Sequence, residues 1–362
     1  MKLSANCPSR DGVTVPAVDR ATIVAGRPRF ASIAAAIGIA ALVGCGGTST
    51  PPECSFFSNT CNPVIGPITI PSQPFAWVDP QRASAQVGET VVLQVIVSGV
   101  DQASYQWRRS ADGGLTYVDI PGAAARMLTL AGLNLSDDGT LFQVDVRSNG
   151  SSVLKPAGGR LAVSSMPPVL FQDGDFATTD WVTNAIAVPA IAGPAASADH
   201  AASGGNPDAF RSMTYSLSAG ASTLRVFNLA SRTDYNPASQ GAVKVIDFAE
   251  DCNVTRASTS IGFVKSYLLV EQGARRYVAK AQNACANSNA WHALPLVSSL
   301  AATDFVLADG PACTAAEPCP DFSATAAPLR LGYVREATQA AGSPAGEIAH
   351  GIDNWRVSVW RR

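Results

Sequence analysis

Hydrophobic side chains recur at every second position in several short stretches of this 362-residue chain. Such alternation is typical of a β-strand with one buried face, and the clearest run places aliphatic residues at Val91, Leu93, Val95 and Val97. Polar turns such as Asp137-Asp138-Gly139 separate these stretches. The spacing predicts one β-sandwich over residues 75–165.

A second series of short apolar stretches occupies residues 168–362, again with Gly, Asn and Pro between them. Its members are Ser222 to Asn228, Gly241 to Phe248, Ser258 to Val264, Tyr267 to Glu271, Arg276 to Ala281, Leu329 to Val334 and Ile352 to Trp360. This pattern predicts a second sandwich or jelly roll. The whole chain is therefore expected to be all-β.

The N-terminal segment has the features of an export signal. Arg27-Pro28-Arg29 precedes an apolar run, Phe30 to Val43, that is too short for a membrane-spanning helix. Its end, Leu42-Val43-Gly44-Cys45, resembles the bacterial lipobox. The resemblance implies that residues 1–44 are a lipoprotein signal peptide and that Cys45 is lipidated. It also implies a bacterial cell-envelope protein held in the membrane by an N-terminal lipid. The residue after the lipidated Cys is Gly46 and not Asp, which favours the outer membrane if the bacterium is Gram-negative.

Residues 45–74 are rich in Pro and Gly, which predicts an extended tether. Six cysteines remain after the signal and the lipidation site: Cys54, Cys61, Cys252, Cys285, Cys313 and Cys319. An even number in an oxidising compartment predicts disulfides. Proximity in sequence favours the pairs Cys54–Cys61, Cys252–Cys285 and Cys313–Cys319. A metal site is the weaker alternative, because no C-x-x-C occurs and the three His are scattered.

Residues 75–165 also carry motifs of a known fold. These are Gly88-Glu89-Thr90-Val91-x-Leu93, Tyr105-Gln106-Trp107, Leu128-Thr129-Leu130 and Leu135-Ser136-Asp137-Asp138-Gly139. They resemble an immunoglobulin-like domain of bacterial surface proteins, which implies that Trp107 is a buried core residue. Val95 and Val144 stand where that fold has its cysteine pair, and Phe142 replaces its corner Tyr. A spacer role and a protein-binding face both remain open for this domain.

Residues 168–362 resemble the concanavalin A-like lectin and glucanase sandwiches and related carbohydrate-binding modules. The motifs are Asp173-Gly174-Asp175-Phe176 with Asp180-Trp181, Ser203-Gly204-Gly205-Asn206-Pro207, and Gly351-Ile352-Asp353-Asn354-Trp355-Arg356-Val357. A galactose-binding-like jelly roll is the open alternative. In the carbohydrate-binding relatives, acidic residues of the first and last strands often meet at a calcium ion. That resemblance implies structural Ca²⁺ at Asp173, Asp175 and Asp353, whereas the alternative makes them turn and hydrogen-bonding residues.

Two further sets of residues have side chains that could take part in catalysis or sugar binding. The segment Val245-Ile246-Asp247-Phe248-Ala249-Glu250 resembles the E-I-D-x-x-E strand of retaining glucanases, but Val245 replaces the nucleophilic Glu. Asp247 and Glu250 should lie on opposite faces unless a bulge intervenes, with the strand ending in a polar turn at Glu250-Asp251. No catalytic residue is therefore expected. For sugar binding, Tyr235, Asn236, Trp291 and His292 lie in turn-rich stretches and are the expected surface residues.

The net charge of the chain limits the kinds of partner that it is expected to bind. The chain has a formal net charge of −2, and with five Lys or Arg and two Asp in residues 1–44 the remainder carries −5. Without a Lys/Arg cluster, nucleic-acid binding is not expected. We expect a non-enzymatic binding or adhesion role, with a glycan or an envelope protein as partner. The alternatives are an atypical glycoside hydrolase and a structural envelope protein without a soluble ligand.

Overall fold

The structure, a computed structural model, describes residues 73–149, 151–188, 196–308, 313 and 318–362. These residues form 24 strands and one short α-helix, so the expected all-β class is confirmed. None of the helices in this part of the chain is long and apolar enough to cross a membrane. The expected signal peptide, the lipidation site Cys45, the Cys54–Cys61 pair and almost all of the tether lie outside the described residues.

The first ten strands build three sheets between residues 75 and 164. Their bounds are β1 Phe75–Asp79, β2 Arg82–Gln86, β3 Val91–Ser98, β4 Ala103–Ser110, β5 Val118–Asp119, β6 Met127–Leu130, β7 Leu141–Ser148, β8 Ser151–Leu154, β9 Ala157–Gly158 and β10 Arg160–Ser164. The first sheet has the order β1-β3-β6, and the second has the order β5-β4-β7-β8 with β9 also on β7. Strands β2 and β10 form a separate parallel pair.

One hydrophobic core lies between these sheets. Val95 on β3 and Val144 on β7 are both fully buried, so two aliphatic side chains from different sheets meet in the same core. Trp107 on β4 is fully buried as expected, and its Nε1–H donates to the Ala125 carbonyl at 2.9 Å. Phe142 is also buried. Apolar packing alone therefore fills the position between the sheets. The finer expectation of an immunoglobulin-like topology stays a prediction.

Strands β11 to β24 build two larger sheets. Their bounds are β11 Val169–Asp173, β12 Trp181–Val188, β13 Ala196–Ala201, β14 Phe210–Leu217, β15 Ser222–Tyr235, β16 Val243–Ala257, β17 Phe263–Gln272, β18 Arg275–Ala279, β19 Asn283–Ala286, β20 His292–Ala293, β21 Val297–Leu300, β22 Phe305–Leu307, β23 Leu329–Gln339 and β24 Gly346–Arg361, with helix α1 at Pro237–Gln240.

Each of these sheets is organised around one long strand, and we name it after that strand. The β24 sheet has the order β13-β14-β24-β16-β20, with β11 also on β24 and β21 on β16. The β23 sheet has the order β12-β15-β23-β17-β18-β22, with β19 on β17. Alternate residues of both sheets, including Phe248, Val254 and Leu331, enter one shared core. The two sheets thus pack face to face around a single interior.

Two of the expected disulfides are confirmed. Cys252 on β16 pairs with Cys285 on β19, and both are buried in the shared core. This bond joins the β24 sheet to the β23 sheet. The second disulfide joins Cys313 and Cys319. Cysteines close in sequence have therefore paired, as the spacing predicted.

The first ten strands contact the outer face of the β24 sheet through polar side chains. Arg82 on β2 forms a bidentate ion pair with Asp304, with N–O distances of 2.5 and 3.0 Å. Lys244 on β16 pairs with Asp138 at 2.7 Å. Asp247, also on β16, accepts a hydrogen bond from the Ser84 hydroxyl at 2.8 Å. We call this set of contacts the joint.

Candidate functional site

The first and last strands of the C-terminal sheets lie side by side, as expected. Strand β11 pairs antiparallel with β24, and Asp173 is opposite Trp355. At the end of β11, the Asp173 carboxylate accepts hydrogen bonds from the backbone N–H groups of Asp175 at 3.0 Å and Phe176 at 2.8 Å. The Trp181 indole N–H donates to it at 2.7 Å. Asp173 therefore closes the turn after β11.

Asp353 is buried near this turn. Its carboxylate accepts from the backbone N–H groups of Asn206 at 2.5 Å and Asn354 at 2.6 Å. Only 1% of the residue is exposed. Burial raises the pKa of Asp353 above its ordinary value, the two N–H donors lower it, and the negative charges of Asp251 and Asp173 raise it further. The carboxylates of Asp173 on β11 and Asp353 on β24 thus lie close together.

A loop and a neighbouring strand complete this group. The Asp251 carboxylate accepts from the side-chain amides of Asn206 at 2.9 Å and Asn354 at 2.8 Å. The Asn354 amide also donates to the Asn206 carbonyl at 2.5 Å. We call Asn206, Asp251, Asp353 and Asn354 the loop cluster. Its hydrogen bonds tie the 203–207 loop to strands β16 and β24.

The oxygens of this region are largely occupied as acceptors of N–H groups. Among the described residues, no group of three or more His, Cys, Asp or Glu side chains is arranged to hold a metal ion. Asp173 and Asp353 lie close together, and an added Cβ on Gly174, between Asp173 and Asp175, would lie 3.7 Å from Asp353 Oδ1. Calcium at Asp173, Asp175 and Asp353 stays a prediction, and the hydrogen bonds account for Asp173 and Asp353 without it.

An aromatic pair lies next to the loop cluster. Trp291 is partly exposed, donates its indole N–H to the Gly204 carbonyl at 2.7 Å, and meets Phe210 edge-on with ring centroids 5.2 Å apart. Both rings cover the backbone of β24 at Gly351, where an added Cβ would lie 2.8 Å from each. His292, exposed beside it, has Nε2 2.6 Å from the Ser288 hydroxyl.

An open groove adjoins this region. It is lined by Gln172, Asp173, Gly174, Asp175, Asn354, Trp355 and Arg356. Most of these side chains are polar, and Arg356 adds a positive charge at an exposed position. A polar groove with a nearby aromatic ring can bind a hydroxyl-rich ligand, because hydroxyls pair with carboxylates and amides while ring faces cover C–H groups.

The other pair of expected surface residues lies elsewhere, and the expectation of exposure is wrong for one of them. Tyr235 is fully buried at the end of β15, and its hydroxyl donates to the Gly241 carbonyl at 2.7 Å. Burial raises the pKa of Tyr235 above its ordinary value. Asn236 caps helix α1, with its side-chain oxygen accepting from the Ala238 N–H at 3.0 Å. Both residues therefore have structural partners.

The glucanase-like segment forms no carboxylate pair. Asp247 lies on the outer face of the β24 sheet and also accepts from the Ser299 N–H and the Trp360 indole N–H, both at 2.7 Å. Glu250 points into the interior, where Arg335 lies 3.2 Å away. The two acids lie on opposite faces, as expected. The expected turn at Glu250-Asp251 is wrong, because β16 continues with a bulge to Ala257.

No protein-family model matches the chain, and no curated protein matches it significantly.

Proposed function

We propose that this protein is a lipid-anchored envelope protein whose C-terminal sheets bind a polysaccharide without cleaving it. The first ten strands act as a spacer between the tether and the binding region. The observation that supports this best is the assembly of a partly exposed Trp291 with the loop cluster on strands β16 and β24. An aromatic ring beside fixed carboxylates and amides is the combination that sugar binding requires.

The surroundings of the two acids in the glucanase-like segment support the non-enzymatic part of the proposal. Asp247 is covered by the joint and Glu250 by the sheet interior, so neither can reach a substrate outside the protein. A retaining hydrolase needs two carboxylates about 5–5.5 Å apart across the scissile bond. The purified protein should release no reducing ends from β-glucans, agar or carrageenan.

A glycan array followed by titration tests the binding site. The replacement Trp291→Ala should weaken binding of any polysaccharide that scores on the array by about tenfold or more, the loss of about 1.4 kcal/mol of contact. Trp77→Ala is the matched control, because Trp77 stacks on Phe75 in the β1-β3-β6 sheet with centroids 5.6 Å apart. Equal affinities for the two variants would refute the site. An array without any signal would favour a structural envelope role.

The anchor has an independent test. Cys45→Ser should leave the protein unlipidated and shift it from the detergent phase to the aqueous phase. Incorporation of labelled palmitate by both forms to the same extent would refute the lipid anchor, whatever the array shows.

A further inference from the structure

Charged side chains meet in the interior between the β24 and β23 sheets. Arg335 on β23 is fully buried, and so is the side chain of Glu250 on the facing strand β16. His350 on β24 and Arg211 on β14 are 2% and 3% exposed. His350 lies within strand β24. A hydrophobic core does not normally hold so many ionisable groups.

Aromatic side chains hold this group together. The Arg335 guanidinium lies 5.7 Å from the centroid of the Tyr333 ring, and the Tyr215 ring meets His350 edge-on at 4.6 Å. Both tyrosine hydroxyls donate to the Met213 sulfur, at 3.5 and 3.7 Å. We call Arg335, Glu250, His350, Arg211 and Ser266 the interior polar group.

Several buried atoms of the interior polar group have no hydrogen-bond partner among the described residues. They are Nε, Nη1 and Nη2 of Arg335, Nε of Arg211 and both ring nitrogens of His350. Burial raises the pKa of Glu250, while the charge of Arg335 and a hydrogen bond from the Ser266 side chain lower it. The ion pair between Arg335 Nη2 and Glu250 Oε1, at 3.2 Å, supplies charge attraction for only one edge of the guanidinium. Each buried donor left unpaired destabilises the folded state, and more so when it is charged.

Positive charge and hydrogen-bond donors are in excess in the interior polar group. Two guanidinium groups, those of Arg335 and Arg211, share the interior polar group with one carboxylate, and only Arg335 is paired with it. Burial together with the charge of Arg335 holds the pKa of His350 well below its ordinary value, so the imidazole is neutral. The interior therefore carries one excess positive charge. Unpaired donors also outnumber acceptors, because a guanidinium has five N–H donors and no acceptor. Water would leave the excess charge in place, since it carries no net charge.

We propose that the interior polar group binds one buried monovalent anion of the chloride type. Arg335 supplies the principal N–H donors, and Arg211 and His350 are further members of the interior polar group with unpaired nitrogens. The anion cancels the excess charge and brings only acceptor capacity. It lies between the sheets and therefore stabilises their packing, separately from any ligand at the loop cluster.

Bromide locates the site directly. Crystals of the purified protein grown in sodium bromide should show an anomalous peak beside Arg335, inside the sandwich. In solution, the melting temperature should be higher in sodium chloride or bromide than in sodium gluconate at equal ionic strength and pH. An anion that binds only the folded state stabilises it by RT ln(1 + [L]/Kd), so the difference should grow with halide concentration.

Matched variants separate this site from general salt effects. The double replacement Arg335→Met with Glu250→Met removes both charges and keeps apolar packing, which buried ion pairs often tolerate. It should lower bromide affinity at least tenfold and abolish the halide response. Glu250→Gln leaves the positive charge in excess and should enlarge the response. Arg225→Met is the control, because Arg225 pairs with Glu336 at 2.6 Å and its side chain is 42% exposed.

Three results would overturn the proposal. One is the absence of interior bromide density. Another is bromide density without a halide-dependent melting temperature, which means binding at crystal concentration only. The third is a halide response that persists unchanged in the Arg335→Met/Glu250→Met variant.

Discussion

Removal of the Cys252–Cys285 disulfide should be the most destabilising loss of a cross-link in the described part of the chain. The bond closes a sequence separation of 33 residues, and the chain-entropy relation gives about 3.7 kcal/mol for a loop of this length. Cys313–Cys319 spans six residues, for which the same relation gives about 2.2 kcal/mol. The double variant Cys252→Ala/Cys285→Ala should therefore lose about 1.5 kcal/mol more than Cys313→Ala/Cys319→Ala.

The packing around the two disulfides also makes the loss of stability larger at Cys252–Cys285 than at Cys313–Cys319. Cys252 and Cys285 are buried in the shared core, whereas Cys313 and Cys319 are only partly buried. Truncation to Ala at the core pair also leaves space between the sheets, so the entropy figure is a lower bound for the difference.

Urea unfolding under non-reducing conditions measures both losses. The m-value should rise in the core variant, because an unfolded chain without the longer loop exposes more surface. Equal losses in the two variants, or a larger loss at Cys313–Cys319, would refute the loop-length argument. As a control, quantitation of free thiols in the unmodified protein shows whether both disulfides are formed.

Two further predictions concern buried carboxylates. Asp247→Ala should lower the free energy of unfolding by about 2–4 kcal/mol, because the Ser299 and Trp360 N–H groups lose their acceptor. The Ser84 hydroxyl keeps a partner, since it can still pair with Ser299 Oγ at 2.7 Å. Urea unfolding is the assay, and Asp199→Ala, at an exposed position, is the control. For Glu336, burial raises the pKa, but hydrogen bonds from Lys265 and Arg225 outweigh it and leave the pKa below its ordinary 4.5. Its contribution is therefore present above pH 4.5 and is lost as the pH falls through the lowered pKa, so the stability difference between the unmodified protein and Glu336→Gln should shrink in acid; a difference independent of pH would contradict this.

Local patterns predicted much of this architecture. Alternation located the strand at Val91–Val97, and cysteine proximity gave the two observed disulfides. The prediction of a turn at Glu250-Asp251 was wrong, because two adjacent acidic residues are typical of a solvent-exposed turn. Glu250 is buried because Arg335, far away in sequence, faces it from the other sheet. The prediction that Tyr235 is exposed failed for a similar reason, since its hydroxyl donates a hydrogen bond to the Gly241 carbonyl inside the protein.

The loop cluster shows how such long-range pairing could serve binding. Asn206 lies about 150 residues before Asn354, yet its backbone N–H donates to Asp353, its side-chain amide donates to Asp251, and its carbonyl accepts from the Asn354 amide. Trp291 holds the same loop at Gly204. These bonds already fix the loop before any ligand arrives. A polysaccharide that binds here would not have to order it, which removes part of the entropic cost of association. Mutations that loosen the loop, such as Asn206→Ala, should therefore weaken binding even when Trp291 is intact.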